Sequence, residues 1–140
     1  MNNKIYSCLW FDGQAKQAAE FYCGIFKNSK ITTDTPMVVN FELDGRKFMG
    51  LNGGPMFTFN EAVSFVVDCD TQEEIDYYWG KLTNGGQESQ CGWCKDKFGL
   101  SWQIVPSIIG TLMSNPDKAQ GVMQVIMKSK KFNIEELINA

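Results

Sequence analysis

Chemistry in this chain would have to come from a narrow set of side chains, because the sequence contains no histidine. The commonest general base and the commonest neutral metal ligand are therefore both absent. Proton chemistry would fall to Asp, Glu, Cys, Tyr or Lys. The densest group of candidates lies between Cys91 and Pro106, where Cys91-x-x-Cys94, Ser101 and Gln103 follow one another closely. The run from Leu100 to Val105 alternates, so Ser101, Gln103 and Val105 share one face and Leu100, Trp102 and Ile104 the other. The first face could offer a hydroxyl and an amide to a small ligand.

Cys91 and Cys94 admit two functional readings, a redox dithiol or half of a zinc site. A redox pair normally sits at a helix N-terminus, where the dipole lowers the thiol pKa, whereas this pair lies along a strand arm with its members on opposite faces. Zinc would need two further ligands from Cys8, Cys23, Cys69 or carboxylates. The default for five cysteines at irregular spacing is free thiols that pack as small apolar groups. Among carboxylates, Asp12 and Asp68 end strands ahead of helices and read as caps, while Glu42, Glu88 and Asp96 lie near hairpin arms. No two are spaced as an acid and base pair. A non-metal enzyme using Cys8 or Glu88 stays open as an alternative.

The elements that must position these residues follow from periodicity and turn residues. Ile5 to Phe11 reads as a strand ending at Asp12-Gly13, and Ala15, Ala18, Ala19, Tyr22 and Phe26 mark an amphipathic helix. Lys30 to Thr33 is a short strand or extended link. Met37 to Leu43 and Arg46 to Leu51 form a hairpin about Asp44-Gly45. The stretch Asn52-Gly53-Gly54-Pro55 opens a connection to about Asn60, on which Phe57 and Phe59 could be a lid or a dimer contact. Ala62 to Asp68 is a strand, Thr71 and Glu74 are a capping box for a helix to about Leu82, and two strands flank the Asp96 to Gly99 turn. Trp10 and Trp102 are expected under helices, with Trp93 at a pocket edge. After Pro106 come an apolar turn or two from Ile108, a helix from Pro116 with Val122, Met123, Ile126 and Met127 as its buried stripe, and a short helix from Ile134 to Ile138.

The two halves repeat. Asp12, Glu20, Phe21, Tyr22 and Asn28 match Asp68, Asp76, Tyr77, Tyr78 and Asn84 at a constant offset of 56. The order of elements implies an α+β fold of two βαβββ modules forming a curved, cup-shaped mixed sheet with helices outside. Residues 1–140 are read as one domain: module one over about 4–52, module two over about 61–106, and a C-terminal helical segment over 107–140. A chain of 140 residues buries roughly two thirds of its unfolded surface and folds without staples. Its net charge of -3, without a basic run, argues against nucleic acid or an anionic membrane as partner. No apolar run approaches the ~20 residues of a membrane span, and Met1-Asn2-Asn3-Lys4 lacks the regions of a signal peptide, so a cytoplasmic location is expected.

The βαβββ repeat, Phe-Tyr on the first helix, Cys-Gly-Trp before Asp-Lys-Phe-Gly, and then Ser-Trp-Gln-Ile-Val-Pro resemble the vicinal oxygen chelate superfamily, the glyoxalase and bleomycin-resistance fold. More narrowly the chain is similar to its PhnB-like group, some of whose members carry the label demethylubiquinone methyltransferase. The resemblance covers Ile5 to about Met127. It implies a homodimer and, in metal-dependent members, four His or Glu ligands, one from the first and last strand of each module. Those positions fall at about Ser7, at about Met49, near Ala62 to Ser64, and at Gln103. A hydroxyl, a thioether and a neutral amide do not hold a hard divalent cation against water, so no metal and no other cofactor is expected. Methyl transfer is not expected either, since no glycine-rich loop joins a strand to a helix to cradle a nucleotide-like cofactor. The cup is read as binding an unidentified small molecule through Ser7, Met49, Ser64, Trp93 and Gln103, or else as filled by its own side chains in a dimeric scaffold.

Overall fold

The computed structural model describes residues 4–140. Of the N-terminal stretch weighed as a signal peptide, Met1 to Asn3 lie outside the described residues. The chain forms two compact units, the first ending at Phe59 and the second spanning Asn60–Ala140. The expected α+β pattern is present in each, as a four-stranded mixed sheet with a helix on one face.

In the first unit, β1 (Ser7–Phe11), α1 (Ala15–Ile25), β2 (Lys30–Asp34), β3 (Val38–Leu43) and β4 (Arg46–Asn52) form a sheet of order β1-β4-β3-β2. β1 and β4 run parallel, with Ser7 opposite Phe48 and Cys8 opposite Met49, and the other pairs are antiparallel. Alternation puts Leu9, Phe11, Val39, Phe41, Leu43 and Phe48 on one buried face. α1 covers it with Ala15, Ala18, Ala19, Tyr22 and Ile25, the small alanines letting the helix approach Gly50 closely. Tyr22, Phe41 and Phe48 stack in series, with ring centroids 6.2 and 5.5 Å apart.

Two expectations for this unit are corrected. Asp12 does not cap α1: the N-cap residue is Gln14, and the free amide of Ala15 donates instead to Asn52 Oδ1 at 2.9 Å, from the far end of β4. Asn52 Nδ2 also donates to Pro36 O at 2.9 Å, so one amide side chain ties three segments together. Trp10 is not under α1, because it alternates with Leu9 and Phe11 and so faces the other way. Its Nε1 donates to Gly54 O at 2.9 Å, and Phe57 meets its ring edge-on at 4.9 Å. Gly53 passes so near the indole that a Cβ there would stand 2.3 Å from Trp10 Cζ2.

The second unit repeats the topology. β5 (Ser64–Cys69), α2 (Gln72–Thr83), β6 (Gln87–Glu88), β7 (Trp93–Lys95) and β8 (Ser101–Pro106) give the order β5-β8-β7-β6, with β5 and β8 parallel. α2 opens as expected, Glu74 N–H donating to Thr71 Oγ1 at 3.2 Å, but Glu74 Oε1 reaches back to the amide of Asp70. Asp68 is a strand residue and no cap. The matching positions of the repeat need one correction. Buried Ala18, Tyr22 and Ile25 on α1 answer buried Ile75, Trp79 and Leu82 on α2, an offset of 57. The identity match at 56 would pair Tyr22 with the half-buried Tyr78. A helix turns about 100° per residue, so one position moves a side chain off the core face and burial fixes the register.

The hairpin of β7 and β8 is locked from inside by Asp96, which is 2% exposed. Its Oδ1 accepts from the amides of Phe98 at 2.8 Å and Leu100 at 3.2 Å, and its Oδ2 from Trp102 Nε1 at 2.8 Å. Asp96 is thus a structural carboxylate, a role its place in a turn did not reveal.

Three helices complete the unit: α3 (Ile109–Met113), α4 (Pro116–Lys128) and α5 (Ile134–Ile138). Asn115 and Asn133 cap α4 and α5. The helices share a small core of Leu112, Val122, Phe132 and Leu137, with Val125 and Ile126 packed against it. The expected stripe on α4 is rotated by one position: Met123 is 42% and Met127 64% exposed, because Val122, Val125 and Ile126 take the inner side. Among the described residues no helix is long and apolar enough to cross a membrane.

Candidate functional site

The sheet of the second unit has one face under α2 and one facing away from it. Cys94 opposite Trp102, and Ile104 two residues on, belong to the α2 face and are buried. By alternation Trp93 opposite Gln103, and Lys95 opposite Ser101, point to the other face. There Trp93, Lys95 and Ser101 line a pocket of ≈ 440 Å³, within the usual size range of small-molecule sites. Its rim comes from Glu61, from Gln87 on β6, and from the turn that carries Ser89, Gln90 and Cys91.

Three groups give the pocket its chemistry. Ser101 is fully buried, and its Oγ has no hydrogen-bond partner among the described residues. A buried hydroxyl left without a partner costs about 1–3 kcal/mol, and a ligand group that displaced the side chains covering it would recover that energy. Lys95 Nζ lies 3.1 Å from Glu61 Oε1, and the ammonium holds the Glu61 carboxyl below its ordinary pKa, chiefly through that hydrogen bond. Trp93, half-buried, offers an aromatic surface beside these polar groups.

The sequence-predicted residues are brought together only in part. Trp93 lines the pocket. Gln103 and Ser64 share its sheet face, but Gln103 Nε2 donates to Ser64 Oγ at 3.0 Å, so the two satisfy each other. In the first unit Ser7 and Met49 lie on opposite faces: Ser7, opposite Phe48, is on the α1 side, whereas Met49 shares the other side with Cys8 and Asn40. Adjacent residues of a strand cannot both point one way, and Cys8, the neighbour of Ser7, takes the place beside Met49. The Asn40 Oδ1 there is buried and has no partner among the described residues. Lys95 could have been found from sequence, since it is two residues from Trp93 on the same strand. Glu61 carries no sequence signal, because only the fold brings the connecting loop to Lys95.

Glu88 and Cys94 also line the pocket, but each is engaged or buried. All five thiols are free. Burial pushes Cys69 and Cys94 up to about 12, and partial desolvation raises Cys8 even though it is exposed, so none of these three is a ready thiolate. Cys94 lies under α2 while Cys91 sits half-exposed on the turn, both as free thiols. The Glu88 carboxylate accepts from Trp79 Nε1 at 2.8 Å. No three His, Cys, Asp or Glu side chains converge on a metal-sized site among the described residues. The residues at the four positions that metal-dependent relatives use do not fit a divalent cation.

A family model described as 3-demethylubiquinone-9 3-methyltransferase matches residues 3–105. Among solved structures, a PhnB protein from Bacillus cereus is 32% identical with a TM-score of 0.69, over 75% of this chain and 100% of that one. Two others share the fold at low identity. The genomically encoded fosfomycin resistance protein FosX of Listeria monocytogenes is 12% identical with a TM-score of 0.55, over 75% of this chain and 91% of its own. A glyoxalase-related enzyme of Fulvimarina pelagi is 11% identical with a TM-score of 0.53, over 76% and 91%. No curated protein matches the chain. The matching topology and the family match over most of the length lead to one assignment: the chain belongs to the 3-demethylubiquinone-9 3-methyltransferase family, the PhnB-like group of the vicinal oxygen chelate superfamily.

Proposed function

We propose that this chain binds a small, partly apolar molecule bearing a hydrogen-bonding group, without a metal ion, in the pocket of its second unit. The observation that carries the reading is the buried, unpartnered Ser101 hydroxyl at a pocket that also presents Trp93 and Lys95. Buried polar groups in folded proteins nearly always have a partner, so an unpartnered one beside a pocket supports a ligand there. Trp93 supplies apolar contact, Ser101 orients, and Lys95 favours an anionic or strongly accepting end. Gln103 and Ser64 lie on the same sheet face, bonded to each other, and do not line the pocket. Methyl transfer, the reaction in the family's description, is not part of this reading: the link before α1 carries the single glycine Gly13 and the link before α2 carries none, so neither offers a cradle for a nucleotide-like cofactor.

Native mass spectrometry of protein purified gently from its own cell tests the reading. A co-purifying small molecule that is lost in Ser101→Ala and Trp93→Ala supports it, and a ligand retained by both variants sinks it. Elemental analysis after metal soaking tests the second clause, since one tightly bound divalent ion per chain would contradict it. The reading includes a homodimer, supported by Phe57 and Met56, which are 58% and 77% exposed. A monomer mass by light scattering at micromolar concentration would remove that part.

A further inference from the structure

The family match ends at residue 105, so α3, α4 and α5 lie outside it. The link between α4 and α5 nevertheless bonds the turn that lines the pocket. We infer that the C-terminal helical segment is the specificity-determining element of the pocket, because the link between α4 and α5 holds the turn that forms one pocket wall; this rests on the pocket being the binding site. The wall is made by Ser89, Gln90, Cys91 and Trp93. Within it, Cys91 and Gly92 have φ of 60° and 83°, a left-handed conformation that Cys91 adopts only at a cost. Ser89 N–H bonds Trp93 O and Trp93 N–H bonds Gln90 O, which closes the turn on itself. The amides of Cys91 and Gly92 point outward instead, and donate to Ser129 O at 2.7 Å and Lys130 O at 2.9 Å. Cys91 and Gly92 are therefore paired, strand-like, with the C-terminal link.

The link is in turn fixed to the sheet unit. Phe132 is 2% exposed, and its ring occupies the space a side chain at residue 92 would need, a Cβ there falling 2.4 Å from Phe132 Cε2. The Gln72 amide at the start of α2 grips the backbone on both sides of Asn133: Nε2 donates to Phe132 O at 3.0 Å, and Oε1 accepts from Ile134 N at 2.8 Å. Gln72 Nε2 also donates to Asp76 Oδ1, which pairs with Lys131 at 2.8 Å. Gln72 and Phe132 are positioning residues: they do not line the pocket, and they act on it through Cys91 and Gly92. The shape of that wall is then set by residues beyond the family match.

The test uses the full chain carrying fluorotryptophan, with Gln72→Ala and Phe132→Ala as separate variants. Both should speed amide exchange in α5, and iodoacetamide modification of Cys91, mapped by peptide mass spectrometry, should rise about five-fold or more as the wall opens. The fluorine resonance of Trp93, assigned with Trp93→Phe, should shift or split while that of Trp10 stays in place. Faster exchange in α5 with unchanged Cys91 modification and an unmoved Trp93 resonance would overturn the inference, the segment then being a mere cap. So would failure of both variants to loosen α5. If Phe132→Ala does not fold, Gln72→Ala, which removes no core side chain, decides alone. No ligand enters the measurement. A chain that binds nothing would refute the proposed function while leaving the coupling of link and wall measurable.

Discussion

Asp96 offers the sharpest quantitative test of how the candidate site is held. The perturbation is Asp96→Ala, with Trp102→Phe and the double variant completing a cycle. Asp96 is 2% exposed and accepts from two amides and the Trp102 indole. Hydrogen bonds to a charged group contribute about 1.5–3 kcal/mol each. The Leu100 bond is long at 3.2 Å, and Phe98 is near enough to solvent for water to replace its bond, so the sum is discounted. Asp96→Ala should therefore cost about 3–5 kcal/mol, most of it from stranding buried donors. Near this chain length a loss of 1 kcal/mol lowers Tm by about 3 °C, so the drop should be about 10–15 °C. Trp102→Phe keeps most of the ring packing and removes the N–H, and should cost about 1–2 kcal/mol. The double variant should fall short of the summed costs by about 1–2 kcal/mol, because the indole bond is lost only once. Urea unfolding followed by circular dichroism measures all three without relying on tryptophan fluorescence. Additivity within about 0.5 kcal/mol, or an Asp96→Ala cost below about 1 kcal/mol, would refute the assignment of Asp96 as the lock of the hairpin.

Other expectations follow from single contacts. Ser101→Ala removes a buried hydroxyl that has no partner among the described residues, so it should leave stability unchanged or raise it by up to about 1 kcal/mol while weakening ligand binding; a loss above about 1 kcal/mol in thermal unfolding would mean the hydroxyl is satisfied after all. Cys69 and Cys94 stay protonated in the folded chain up to about 12, whereas the unfolded chain releases those protons from its ordinary 9.0. Stability should accordingly be indifferent to these thiols below pH 9 and fall as pH rises from there to about 12, by up to about 1.4 kcal/mol per pH unit per thiol. Cys94→Ala should flatten that slope, and parallel curves for parent and variant between pH 9 and 11 would contradict the burial argument. Asn52→Ala strips the cap from Ala15 and the bond to Pro36, and should cost about 1–2 kcal/mol in chemical denaturation. Asn52→Asp, which keeps the acceptor for Ala15, should recover more than half of that.

Much of the architecture was legible in local sequence. Alternation marked β8, the Asp44-Gly45 turn marked β3 and β4, the i, i+3, i+4 pattern marked α1, Thr71 announced α2, and Pro116 after Asn115 announced α4. These signals are local because each depends on a backbone period or on a free terminal amide a few residues away. The chain's own residues also decided which of the family's chemistries to doubt, since no spacing can supply the histidines it lacks. Tertiary structure decided the rest. The cap on α1 comes from Asn52, and a bond spanning that much chain leaves no local trace. Met123 and Met127 are as apolar as Val122 and Val125, so only the packed core says which side of α4 is inside. Ser7 and Cys8 are both small and differ by one position, and strand register alone puts Cys8 rather than Ser7 beside Met49. The pocket depends most on the fold: Trp93 and Ser101 could be proposed from their strands, but Glu61 against Lys95 and the C-terminal link against Cys91 exist only because distant segments meet there.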